Sequence, residues 1–194
     1  MAALGAVWPP EGAIVAARSK ARKRALDILF EAEMQNESPF SVLDSRMIQA
    51  DPPVTSYAAE LVRGVQAHRE QIDKLLAENA KGWTLERMPA VDRNVLRIGA
   101  YELLWGVGIP AGVAISEAVL LAQDLSTDGS ASFVNGLLAR LLEIKPTVLG
   151  DAGAGAGAEA EAGAATGGAD VAEADEDDDD DDDEFEDDDG HGSN

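Results

Sequence analysis

The 194 residues include no cysteine, two isolated histidines, and 37 acidic against 15 basic side chains, a formal net charge of -22. The missing thiols exclude a disulfide framework, and two separated histidines argue against a metal cluster. Because no stretch reaches the roughly 18 apolar residues that span a bilayer, we expect a cytoplasmic protein with no membrane partner, metal or cofactor.

The charge is distributed unevenly along the chain. Of the 37 acidic residues, 19 follow Gly150, where no basic residue occurs, and 18 precede it. The body is therefore nearly neutral, and the acidity does not exclude a polyanionic partner. Gly/Ala repeats and the unbroken acidic run Asp175–Glu184 dominate the end of the chain, with Val171 and Phe185 as the larger apolar residues after Gly150. Such a composition predicts a disordered tail over 147–194.

The first residues are apolar but lack a basic region before the apolar stretch, and Trp8-Pro9-Pro10 interrupts them. We predict a disordered leader over 1–17. One hypothesis is that translation begins at Val15, so that most of the leader is not translated.

Helical periodicity dominates the body, and no sustained alternation indicates a strand. Ser38-Pro39 supplies an N-cap and a first-turn proline for the second helix, and Pro146 is expected to close the last. A further short helical segment precedes Pro89. The six longer helices are predicted at about 18–35, 39–50, 56–79, 91–107, 113–125 and 131–144. The pattern predicts an all-α bundle of six or seven helices in one domain, 18–146.

The helix over 91–107 is apolar on almost every side, which is typical of the buried centre of a bundle. Two charged residues, Arg97 and Glu102, interrupt its apolar sequence. We expect each to find a partner or to reach the edge of the bundle.

Five cations open the first helix, where the backbone dipole disfavours positive charge: Arg18, Lys20, Arg22, Lys23 and Arg24. Clusters of this kind mark nucleic-acid-binding surfaces, although a solvated, fraying helix start is the alternative. Arg22 falls on the same side as Leu26 and Leu29, so we predict that the first two turns project beyond the core. Four neutralised phosphates would give a log-log salt slope of about -3 for a single strand.

Other polar and aromatic residues allow two interpretations each. Phe133, just after a Ser/Asp/Gly loop, is favoured as a core residue over a base-stacking platform. Glu86 and Asp92 flank the Pro89 turn as solvated acids or as a docking patch. A paired-carboxylate hydrolase site is weakly supported, and no phosphate loop, nucleophile elbow or metal motif points to an enzyme.

Three segments together resemble the NusB transcription antitermination factors: Ala21–Ala25 with Leu29-Phe30, Val91–Leu103, and Phe133–Leu138. Gly82–Leu85 and Leu125–Asp128 are similar to the actinobacterial branch. The resemblance covers about 18–146. It implies a non-enzymatic all-α protein of two packed helical subdomains.

The family binds the single-stranded boxA element of ribosomal RNA leader transcripts jointly with NusE, a small-subunit ribosomal protein. That heterodimer joins an RNA polymerase complex that suppresses premature termination. Family members are known as monomers and as dimers, so a homodimer is one expected state.

By position, the resemblance implies RNA contacts at Arg18, Lys20 and Arg22, within the run that also holds Lys23 and Arg24. It implies a further RNA contact at Phe133. It places NusE contacts at Phe30, Glu86 and Asp92. Two positions depart from the family pattern: Ser19 replaces a frequent basic residue, and Ala80 stands where some members carry tyrosine.

Two alternatives from other classes remain at this level. A helical protein-binding scaffold would not need the basic run. The second alternative is a stand-alone relative of the N-terminal RNA-binding domain found in a ribosomal RNA cytosine methyltransferase. No methyl-donor-binding domain follows in this sequence. The acidic tail is further expected to compete with RNA for the basic helix start.

Overall fold

The computed structural model describes residues 11–80 and 82–156, with side chains for 12–80 and 82–145. These residues form seven α-helices and a single 3-10 turn at Leu85–Arg87. The helices are α1 Glu11–Gln35, α2 Pro39–Gln49, α3 Ser56–Ala67, α4 Arg69–Asn79, α5 Ala90–Leu104, α6 Ala111–Leu125 and α7 Ser130–Ala156. The prediction of an all-helical bundle is confirmed.

Local capping explains where two of the early helices begin. The Ser38 hydroxyl accepts a hydrogen bond from the Phe40 backbone N–H at 3.3 Å. Pro39 lies between them, in the first turn of α2. Thr55 caps α3 in the same way, accepting from the Ala58 N–H at 3.2 Å. Both bonds satisfy amide groups that have no partner inside the helix.

The two outer boundaries differ from the predictions. Helix α1 begins at Glu11 rather than Arg18, because the alanine-rich segment 13–17 favours the helical state. Residues 11–17 therefore do not belong to a disordered leader, and 1–10 lie outside the described residues. Helix α7 passes through Pro146 and continues to Ala156. A proline removes one helical hydrogen bond, at a cost of about 3 kcal/mol, and need not end a helix. Residues 157–194 lie outside the described part.

The predicted helix over 56–79 is divided into α3 and α4 at His68, whose backbone leaves the helical region at φ -107° and ψ 15°. The His68 ring stacks on Trp105, with ring centroids 4.0 Å apart. This contact holds the bend, which turns Ile72 and Leu76 of α4 into the core.

Helix α5 is the buried centre of the bundle, as predicted. Every residue from Asn94 to Ala100 is buried. Helices α1–α3 form one subdomain and α4–α7 the other, and α5 joins them by packing on both α1 and α3. No helix in the described ranges combines the length and hydropathy needed to cross a membrane.

Polar contacts define the directions of three helices. Near the end of α1, Glu33 binds Asn94 and Arg97 of α5, whereas Arg22 near its start binds Glu102. Helices α1 and α5 therefore run antiparallel. Helix α7 runs parallel to α5, because Ser130 bonds to Asp92 and Lys145 donates to the Leu103 carbonyl. The start of α1 and the later part of α7 consequently lie at the same end of the bundle.

Candidate nucleic-acid interface

The structure contradicts the prediction that Arg22 contacts RNA. Its side chain is only 2% exposed, and Nη2 lies 2.8 Å from Oε1 of Glu102, which is equally buried. Nη1 lies 3.2 Å from Glu117, and the Tyr57 hydroxyl also bonds to Glu102. We predicted that the first two turns project beyond the core, because Arg22 would otherwise be a buried, unpaired charge. Two carboxylates from other helices compensate that charge, so Arg22 is buried without such a projection.

The contacts of Arg22 also affect how firmly it holds its proton. Burial alone would lower the pKa of Arg22, but the hydrogen bond and negative charge of Glu102 outweigh burial and raise the pKa. The same burial and the neighbouring carboxylate raise the pKa of the Tyr57 hydroxyl. The cluster is a permanently charged structural pair.

The other four predicted cations stay at the surface, and we call them the basic stretch: Arg18, Lys20, Lys23 and Arg24. The first three are exposed and Arg24 is half-buried. Lys23 faces Asp27 at 3.8 Å, both about half exposed. Arg24 donates to the Pro52 carbonyl at 3.2 Å. The guanidinium of Arg18 lies 5.6 Å from the centre of the Tyr57 ring, a cation–π contact that leaves its N–H groups free to bind an anion.

A second polar and aromatic feature lies toward the opposite end of α5. Trp83 and Phe133 have ring centroids 6.4 Å apart at an angle of 49°. The two rings line a cavity of about 270 Å³, which we call the aromatic cleft. It is lined by Trp83, Met88, Pro89, Asp92, Thr127, Asp128, Gly129, Ser130 and Phe133. Trp83 is 51% exposed, which is unusual for so large an apolar ring.

Asp92 is one of the polar residues in the wall of this cleft and is only 4% exposed. The Ser130 hydroxyl donates to its Oδ2 at 2.7 Å. Its Oδ1 is buried without a hydrogen-bond partner among the described residues. Asp92 is therefore not part of an exposed docking patch, contrary to prediction, because the first turn of α5 directs it toward α7.

Phe133 also borders a larger groove of about 700 Å³ between α4 and α7. Asn79 and Ala80 line one side, and Gly136 and Arg140 line the other. The small Ala80 side chain leaves this groove wide. Phe133 is partly buried against the core and lines both cavities.

The other two predicted NusE contacts are Phe30 on α1 and Glu86 on the 3-10 turn, and Arg93 connects these two segments. Arg93 binds Glu33, one turn after Phe30 in α1, and also donates to the Leu85 carbonyl beside Glu86. Phe30 is 36% exposed, and Glu86 is exposed on the 3-10 turn. These two side chains are accessible to a protein partner.

A polar network supports this region from inside. Arg97 binds Asp73 at 2.7 Å and Glu33 at 2.9 Å, and Arg93 completes the pairing of Glu33. Burial would raise the pKa of both acids, but hydrogen bonds and charges from the arginines outweigh it and lower the pKa of Glu33 and of Asp73. The expectation that Arg97 and Glu102 each find a partner is confirmed.

Sequence reasoning treated Trp83 as part of a motif and not as a site residue. The sequence feature that could have indicated it is a large aromatic residue directly after a glycine. In the structure Gly82 has a positive φ of 81°, which marks a turn. The neighbour of Trp83 in the cleft, Phe133, is distant in the chain, so their contact is a property of the fold.

The fold and the site define an all-helical protein with a basic helix start and an aromatic cleft near the other end of α5. The NusB family model matches residues 19–143. The transcription antitermination protein NusB of Arthrobacter sp. (strain FB24) is 56% identical over 135 residues, 70% of this chain and 99% of the relative. The chain belongs to the NusB family, whose members are transcription antitermination factors and not enzymes.

Solved structures agree with this assignment. NusB of T. maritima is 33% identical and aligns with a TM-score of 0.58, covering 65% of this chain and 90% of that one. A chain in the crystal structure of a plectonemic RNA supercoil is 27% identical with a TM-score of 0.60, covering 67% and 96%. The predicted fold and family are both confirmed.

Proposed function

We propose that this protein is a cytoplasmic antitermination factor that binds boxA-type single-stranded leader RNA of ribosomal RNA operons together with ribosomal protein NusE. In an RNA polymerase complex it suppresses premature termination. Membership of the NusB family supports this class of function. The observation that supports the RNA assignment is the aromatic cleft, with the exposed Trp83 ring beside Phe133 and the carboxylate of Asp128 in its wall.

The chemistry of the cleft fits a single base. Trp83 and Phe133 offer aromatic surface on which a base stacks, and the exposed carboxylate of Asp128 in the cleft wall accepts a hydrogen bond from an exocyclic amino or ring N–H group. A base enters such a cleft only when it is splayed out of a strand, which favours single-stranded RNA over a closed duplex. The acidic wall also selects for base edges that donate.

The basic stretch supplies the phosphate contacts at a distance from the cleft. Asp92 and Glu102 lie ten positions apart on α5, which corresponds to about 15 Å along the helix, and Arg22 pairs with Glu102. One strand of several nucleotides would therefore contact both features. With the four cations of the basic stretch neutralising phosphates, we expect a log-log salt slope of about -3.

NusE would dock where Phe30 and Glu86 are accessible. Arg93 holds the two segments together through Glu33 and the Leu85 carbonyl. An apolar ring beside an exposed carboxylate suits a partner with a basic rim around an apolar contact. This surface and the basic stretch share α1, so the partner and the RNA would bind side by side.

Fluorescence anisotropy with boxA-like and scrambled RNA, each with and without NusE, tests the proposal. Trp83→Ala and Phe133→Ala should each weaken boxA binding by roughly 5- to 150-fold, as expected for losing about 1–3 kcal/mol of base stacking. The matched control is Phe40→Ala, which removes an exposed aromatic from α2, away from the cleft.

Equal affinity for boxA-like and scrambled RNA, both with and without NusE, would contradict the assignment. A loss of affinity in Phe40→Ala as large as in Trp83→Ala would remove the cleft from the mechanism. Light scattering with and without RNA decides whether the protein is a monomer or a homodimer in each state.

A further inference from the structure

An apolar groove lies at the end of the bundle that carries the basic stretch. The early turns of α1 and the start of α3 border this open groove, whose volume is about 270 Å³. Its walls are small or apolar side chains, namely Ala13, Ile14, Ala17, Ala21 and the Tyr57 ring. Arg18 stands at the rim above Tyr57. We call this the N-terminal groove.

The course of α7 brings the end of the described chain to the same end of the bundle. Lys145 donates to the Leu103 carbonyl at 2.6 Å, directly beside Glu102, the partner of Arg22. Arg22 lies one helical turn from Arg18. Residues 157–184 span at most ~100 Å when extended, against a radius of gyration of roughly 15 Å for a domain of this size. The last residues of the chain can therefore reach the groove.

The chain beyond α7 has the composition that this groove requires. Phe185 is its one aromatic residue, preceded by the acidic run Asp175–Glu184 and followed by Glu186–Asp189. An apolar ring between blocks of carboxylates complements an apolar groove that has the Arg18 cation at its rim. No basic residue follows Gly150 to offset these charges.

We propose that the chain's own acidic tail docks here, with Phe185 in the N-terminal groove and its acidic neighbours paired with Arg18 and Lys20. The docked tail occupies cations that RNA would otherwise bind. The regulatory consequence, though not the docking itself, rests on the proposed function. The tail is then a built-in competitor that a tight, specific RNA displaces and a weak one does not.

Tethering makes a weak contact sufficient. Short tethers give effective concentrations on the order of millimolar, so a docking dissociation constant of about 0.3 mM would weaken RNA binding about fourfold. Phe185→Ala should therefore tighten boxA binding by about fourfold at low salt. The difference should disappear near 1 M salt, where the Debye length falls to about 3 Å.

The absence of cysteine allows a direct test on the full chain. A nitroxide attached to Gly190→Cys should broaden the backbone NMR signals of residues 13–21 and 55–57. Adding Phe185→Ala should remove this broadening. The matched control Val171→Ala truncates the other larger apolar residue after Gly150 and should leave the broadening in place.

Broadening spread equally over other cationic surfaces, such as those around Arg63 and Arg87, would overturn the docking site. Persistence of the broadening in Phe185→Ala would do the same. Saturating boxA RNA should restore the signals, and their failure to recover while RNA is bound would overturn the competition. Because the label reads docking without RNA, a protein that binds no boxA RNA would refute the proposed function while the docking result still stands.

Discussion

Replacing Arg22 by alanine separates the structural cation from those of the basic stretch. The substitution leaves the Glu102 carboxylate, which is 2% exposed, without its guanidinium partner and with the Tyr57 hydroxyl as a remaining hydrogen-bond donor. Removing one partner of a buried ion pair costs about 3–5 kcal/mol. That raises the unfolded fraction roughly 150- to 5,000-fold and lowers the melting temperature by roughly 10–20 °C in a domain of this size.

Urea unfolding followed by circular dichroism measures this loss, and anisotropy at a temperature where both proteins are folded measures RNA binding. Arg22→Ala should lose stability and keep its RNA affinity. Arg18→Ala should do the reverse, with a stability change within about 0.5 kcal/mol. The double variant Arg22→Met/Glu102→Gln should be less destabilised than Arg22→Ala, because the Glu102 charge is also removed. A stability loss below about 1 kcal/mol in Arg22→Ala, together with an RNA defect equal to that of Arg18→Ala, would refute this reasoning.

Two further predictions concern the core and the polar network. A Cβ on Gly64 would lie 2.0 Å from the Tyr101 ring, so Gly64→Ala should lower the free energy of unfolding in urea by about 1–3 kcal/mol. Recovery of that stability in Gly64→Ala/Tyr101→Leu would confirm the clash as the cause. Because hydrogen bonds and charges lower the folded-state pKa of Glu33 and Asp73, the unfolded chain binds more protons, and their stabilisation should be lost as the pH falls below about 4. Glu33→Gln should flatten the decline of the urea midpoint between about pH 5 and pH 3, and an unchanged slope would show that Glu33 does not contribute.

Features that depend on neighbouring residues could be predicted from the sequence. Ser38-Pro39 and Thr55 mark helix starts because their side chains act within one turn. The nearly continuous apolar sequence of α5 predicted its central position, since such a helix is stable only when it is surrounded. The buried position of α5 also predicted that Arg97 would need a partner for its charge.

The identity of the partners could not be predicted in this way. Arg22 and Glu102 are 80 positions apart, and nothing local indicates that they meet. Helical periodicity placed Arg22 on the core side correctly, but the inference drawn from it assumed that no buried carboxylate would be present. The aromatic cleft has the same origin, because Trp83 and Phe133 come from a turn and a helix that only the fold brings together.

The ion pairs between α1 and α5 also determine how far the two helices can slide. An apolar helix that is buried on most sides could shift along its neighbour with little change in the apolar surface it covers. Here Glu33 binds Arg97 near one end, and Arg22 binds Glu102 near the other. A shift of one turn, about 5.4 Å, would break both contacts at once. The pairs thus fix the axial register, and with it the spacing between the basic stretch and the aromatic cleft, so under the proposed function the length of strand needed to contact both would be set inside the core.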